Sequence, residues 1–118
     1  MNDLLKEFVE LAPKEWDAEL YNDPEDPPDS VTMMNDGYAY GFDLVDDRAS
    51  AEALIFLLDW LEGRVGSVSV WLNSEQTYCT QWLPADIKVD FVHCLCGKTR
   101  IEAVLKAVVA VLQEKVTP

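Results

Sequence analysis

Residues 87–116 read IKVDFVHCLCGKTRIEAVLKAVVAVLQEKV, and this stretch decides how the rest of the chain is arranged. Ile87, Val89, Phe91, His93 and Leu95 fall on one side of an extended segment, with Lys88 and Asp90 on the other. That period of two is the signature of a half-buried strand. Gly97 then lets the backbone turn, and Thr99 with Glu102 three residues on makes a capping box at a helix start. Beyond it Ile101, Val104, Leu105, Val108, Val109 and Leu112 recur at helical spacing, so one stripe needs an apolar cover. A sheet supplied by the middle of the chain is the natural one.

That sheet is visible just upstream. Val68, Val70 and Leu72 alternate with Ser67, Ser69 and Trp71, and residues 73–76 make a turn. Residues 77–83 return with Tyr78, Thr80 and Trp82 on one face, until Pro84 ends the strand because proline cannot donate to a ladder. Before them Ala51, Leu54, Leu57, Leu58 and Leu61 predict a helix over residues 47–62, stopped by Gly63. Ile55, Phe56 and Trp60 widen its stripe, so this helix is expected to be buried on more than one side.

Residues 31–34 and 38–42 flank Asn35-Asp36-Gly37, a strong hairpin signal. Residues 22–30 are a loop, with Pro24, Pro27 and Pro28 excluding regular pairing. At the N-terminus Leu4, Leu5, Phe8, Val9 and Ala12 line one side of a helix that Pro13 interrupts. Trp16 and Leu20 then predict the buried side of a second short helical turn reaching about Tyr21. The expected fold class is α+β, a mainly antiparallel sheet packed against two long helices (residues 47–62 and 99–115), with an N-terminal helical segment. Residues 1–118 form one domain: residues 1–45 are the helical segment, acidic loop and hairpin, and residues 46–118 a helix–strand–strand–strand–helix sandwich.

The charge balance narrows the partners. Twenty-two acids against nine bases give a formal charge of -13, a field that repels nucleic acid and anionic membranes and attracts a basic protein surface. Between Lys14 and Arg48 there is no basic residue, and this window holds half of the acids. Asp23, Glu25, Asp26, Asp29, Asp36, Asp43, Asp46 and Asp47 are its candidate partner-binding residues; a plainly solvated loop is the alternative. Three cysteines, an odd number, do not suggest a secreted disulfide framework, and Cys94 and Cys96 at i and i+2 are poorly placed to pair with each other. Reduced thiols are expected. Acids at Asp3, Glu7 and Glu10 do not suit a signal peptide, and no apolar run approaches membrane-spanning length, so a cytoplasmic protein of the host cell is expected.

Familiar chemistries fare poorly. Gly97-Lys98-Thr99 resembles the end of a phosphate-binding loop, but the glycine needed five positions earlier is Val92, which leaves at most an anion site at the helix N-terminus. His93 points away from Cys94 and Cys96 on a strand, which disfavours zinc. The carboxylates of residues 23–29 lack the glycine of a calcium loop. With one histidine and no serine elbow, neither a hydrolase nor a metal or other cofactor is expected. The aromatics Tyr38, Tyr40, Trp71, Tyr78 and Trp82 are candidates to share sheet faces.

Glu102-Ala103-Val104-Leu105-Lys106-Ala107-Val108, arriving after a strand, a short turn and Thr99, resembles the closing helix of the phage ABA-sandwich domain. The order of helix, tryptophan-bearing strand, returning strand, third strand and final helix over residues 46–115 is similar too. The resemblance implies a phage or prophage origin and helices packed on a sheet; it brings no catalytic residues. The leading expectation is a non-enzymatic accessory protein that binds a basic protein partner through an acidic surface, as an inhibitor of a host factor that holds nucleic acid. A small-molecule or nucleotide-ligand binder using the aromatic sheet and the residue 97–99 turn is a second reading, and a homo-oligomeric structural protein a third.

Overall fold

The structure, a computed structural model, describes residues 3–22, 24–25, 29–82 and 93–116. Helix α1 (Asp3–Leu11) is followed by a single 3-10 turn (Lys14–Trp16) and strand β1 (Glu19–Tyr21). Next come β2 (Ser30–Asn35), β3 (Tyr38–Asp43) and helix α2 (Ala51–Val65). The order closes with β4 (Val68–Leu72), β5 (Tyr78–Trp82), β6 (His93–Gly97) and helix α3 (Arg100–Val116).

The α+β class and the antiparallel pairing are as expected, but the strands form two sheets. Sheet A has the order β1-β2-β3 and sheet B the order β4-β5-β6, both antiparallel throughout. The expected N-terminal helix is present as α1, which packs on α3 and on sheet A and makes, with the two long ones expected, three α-helices among the described residues. The segment expected to be helical as far as Tyr21 leaves the helix after Trp16. Asp17 takes the left-handed conformation there (φ 47°), and Glu19–Tyr21 pairs with β2 instead. The hairpin turns on Asp36 (φ 52°) and Gly37 (φ 80°), both left-handed as a two-residue turn between strands requires.

Helix α2 starts and stops later than expected. Its approach is held in turns, because Asp43 and Asp46 side chains take up backbone N–H groups that a helix would use otherwise. At the far end Gly63 is inside the helix and Gly66 (φ 91°) ends it, its N–H donating to the Glu62 carbonyl at 3.0 Å. Val65 packs against the core, which offsets the roughly 1 kcal/mol that a mid-helix glycine costs relative to alanine. Ala53, Leu57 and Leu61 are buried and Phe56 and Trp60 half-buried, whereas Ile55 points outward at 60% exposure.

Helix α3 is the centre of the molecule. Its expected stripe is buried, and so are Ala103, Ala107 and Val111 on its other side. It lies on β5 and β6 of sheet B and against α1 and α2, which in turn meet sheet A. Small residues at 103 and 107 let neighbours approach on the second side. One hydrophobic cluster therefore joins Leu5, Phe8, Val31 and Phe42 to Trp82, Ile101 and Leu105. Gly97 is required for space rather than for a turn: a Cβ there would sit 2.7 Å from Glu102 Cγ and 2.9 Å from the Ala103 backbone nitrogen.

In sheet B the register sets Cys79 opposite Cys96, with Cα atoms 4.1 Å apart, and the two form a disulfide. This corrects the expectation of reduced thiols. A directly opposed antiparallel pair brings two Cβ atoms within bonding reach, and only the pairing register reveals it. The first part of the strand expected over residues 87–95, with Ile87, Val89 and Phe91, lies outside the described residues, as does the Pro84 stop.

Candidate functional site

The loop between β3 and α2 is built by its own acids. Asp43 Oδ1 accepts from the Val45 and Asp46 backbone N–H groups, both at 2.8 Å. Asp46 Oδ1 accepts from Arg48 (3.0 Å) and Ala49 (3.2 Å). Asp47 reaches across 53 residues of chain to the start of α3, where its two oxygens accept from the Arg100 and Ile101 N–H groups, each at 3.0 Å. The Arg100 guanidinium lies 3.8 Å from the same carboxylate. The N-terminus of α3 considered as an anion site is thus occupied from within the chain by a side chain that satisfies orphan donors and suits the helix dipole. Thr99 completes the joint: its hydroxyl donates to the Leu44 carbonyl at 2.6 Å and accepts from Glu102 N–H at 3.3 Å, while Glu102 accepts from Lys98 N–H at 2.6 Å.

Of the eight acids named as candidate partner contacts, Asp23 and Asp26 lie outside the described residues. The strand register places the others. Tyr21 pairs with Ser30 and Ser30 with Asp43, so the β1–β2 loop carrying Glu25 and Asp29 leaves the same end of sheet A as Asp43, Asp46 and Asp47. Asp36 is at the hairpin tip, roughly 17 Å away at the other end of β2. Five of the six described acids therefore share one end. Three of them also hold the fold together there, a double duty that no local sequence pattern announces.

A second feature was not anticipated as a site. Rings run in contact from the interior to the surface: Phe42 on Phe8, Phe8 on Trp16, Trp16 on Phe56, Phe56 on Tyr40 and Tyr40 on Tyr38. The last three centroids are spaced at 4.9 Å, and the run emerges at Tyr38, which is 50% exposed. There Tyr38 donates its hydroxyl hydrogen to Glu52 on α2. The accepted proton and the nearby negative charge raise the Tyr38 pKa above the ordinary tyrosine value. These residues and Ile55 line a hollow of about 240 Å³, continuous with one of about 360 Å³ that extends past Ala39 and Gly41 to Arg48 and Ala49. The expected sharing of sheet faces holds only in part. Tyr38 and Tyr40 are on sheet A; Tyr78 and Trp82 are together on one face of sheet B, and Trp71 is on its other face, where its Nε1–H donates to Gln81.

Among the described residues no group of three or more His, Cys, Asp or Glu side chains could hold a metal ion, and no helix is long and apolar enough to cross a membrane. No protein-family model, no characterised protein and no solved structure matches the chain.

Proposed function

We propose that this chain is a non-enzymatic accessory protein, of the kind phages carry, that binds a protein partner with a basic surface through the acidic end of sheet A. Inhibition of a host factor that normally holds nucleic acid follows naturally, since a carboxylate-rich surface competes for the same basic patch as phosphate does. The observation that supports this is the gathering of Glu25, Asp29, Asp43, Asp46 and Asp47 at one end of the sheet. Arithmetic adds to it. Were each of the nine bases to neutralise one of the twenty-two acids, thirteen carboxylates would remain. The hydrogen bonds of Asp43 and Asp46 fix their charges in position without removing them, whereas Asp47 is also paired with Arg100; a pre-organised field steers encounter at little entropic cost.

Capture of partners from a bacterial lysate on the immobilised protein tests this. A basic protein is expected to be retained at low salt and lost by roughly tenfold or more as ionic strength passes physiological values, where the Debye length falls below about 8 Å. Charge reversal at Glu25 and Asp46 should slow association more than it speeds dissociation. Retention indifferent to salt and to both reversals would refute the proposal.

A further inference from the structure

Among the described residues, strand β3 has a strand neighbour on one side only. At its end Ser50 finishes the open side: the Ser50 hydroxyl accepts from Asp43 N–H at 3.2 Å and donates to the Asp43 carbonyl at 3.1 Å. Both main-chain groups of Asp43 therefore point away from β2. In an antiparallel strand this direction repeats every second residue, so the N–H and C=O groups of Gly41 and Ala39 point the same way. They meet no partner among the described residues, and what they face is the hollow of about 360 Å³ between β3 and the start of α2. Gly41 has no side chain to obstruct it, and a Cβ built there would meet nothing within 4 Å. At the other end of the hollow stand the ring faces of Tyr38 and Tyr40 and the Glu52 carboxylate, which the Tyr38 hydroxyl holds in place.

We infer that this edge receives an extended segment of the protein partner, which adds a strand to sheet A and seats an arginine or lysine side chain against Tyr38, Tyr40 and Glu52. The inference rests on the partner being basic, as proposed above, and names the segment through which it is held. Strand addition supplies main-chain hydrogen bonds, and alternate side chains supply selectivity. Two aromatic faces beside one carboxylate suit a cation with an aliphatic stem, by cation–π attraction and charge pairing together. Ile55, 60% exposed, gives the stem an apolar wall. Arg48 on the opposite rim selects against a second cation and offers donors to the carbonyls of the incoming segment.

The probe is a capped five-residue peptide with a central arginine between two valines and outer threonines, titrated into the whole protein and followed by NMR. Saturable shifts are expected at the Tyr38 and Tyr40 rings, with amide exchange at Ala39 and Gly41 slowed by about tenfold or more. Replacing the arginine by norleucine, or N-methylating the valines, should each weaken binding by about fivefold or more. Glu52→Gln should weaken the arginine peptide and leave the norleucine peptide as it was, while Asp59→Asn, elsewhere on α2, changes neither. Equal binding of arginine and norleucine peptides, or of the N-methylated one, overturns the inference. So does salt-sensitive binding that perturbs Glu25 and Asp46 while Ala39 and Gly41 stay silent, and in that case the acidic end survives as the docking surface. If the peptide perturbs neither place, the inference fails, and the lysate capture decides the acidic end by itself.

Discussion

Replacing Asp47 with alanine removes the carboxylate that caps α3 from the β3–α2 loop and leaves the Thr99–Leu44 hydrogen bond as the other described tie. Two hydrogen bonds of 3.0 Å from backbone N–H groups to a carboxylate are lost. Hydrogen bonds to a charged group contribute about 1.5–3 kcal/mol each when the partner is left dry. Water reaches this helix end, so the sum is an upper bound, and the largest effects of cap removal, about 2 kcal/mol, are the better guide. The ion pair adds little. The Arg100 side chain is 53% exposed, and solvent-screened pairs contribute about 0–1 kcal/mol. Loss of about 2 kcal/mol is expected, which at a urea m-value of about 2 kcal/mol/M lowers the midpoint by about 1 M. Urea unfolding followed by tryptophan fluorescence and by far-ultraviolet circular dichroism measures it, and Asp47→Asn, which keeps one acceptor oxygen, should fall between the two proteins. A midpoint moved by less than about 0.25 M at unchanged m-value would show that the cap carries no weight, and that Asp47 is as free to serve a partner as any exposed acid.

Three further outcomes follow from the geometry. Reduction of Cys79–Cys96, separated by 17 residues, should cost about 3 kcal/mol by loop entropy; equal urea midpoints with and without reductant would refute the pairing. Gly97→Ala drives a methyl group to 2.7 Å from Glu102 and 2.9 Å from a backbone nitrogen, so a loss of about 1–3 kcal/mol is expected, read as a lowered Tm. The Tyr38 hydroxyl has a raised pKa, so its hydrogen bond is fully present below the ordinary tyrosine value and is lost as pH climbs through the higher folded value. Ultraviolet titration should show Tyr38 ionising above the ordinary tyrosine value, and Glu52→Gln should bring it back down.

How far the chain could be read in advance depended on the range of the interactions. Asn35-Asp36-Gly37 is a turn because of the conformations its own residues tolerate, and the alternation over Val68–Leu72 is a local fact about side-chain direction; both are legible. Glu19–Tyr21 is a strand only because β2 is there to pair with it, and three residues carry no period. The bond between Cys79 and Cys96 requires the register of β5 on β6, and the cap on α3 requires knowing that residue 47 ends beside residue 100. The acidic window was legible as composition but not as architecture, since nothing local distinguishes a carboxylate in solvent from one holding a loop. The groove on β3 was the least legible of all. It exists because Ser50 closes one stretch of a strand edge and leaves the next open.

The helix that fills the middle of the molecule comes after all six described strands in chain order. Ile101 to Leu112 floor one sheet and back the helices that floor the other. Translation adds roughly 5–20 residues per second, so sheet B and the inner sides of α1 and α2 leave the ribosome about a second or more before the helix that covers them. Completion of Ile101 to Leu112, not emergence of any earlier part, is then the event that lets the molecule collapse, and a message that stalls before it yields a sticky fragment rather than half a working protein.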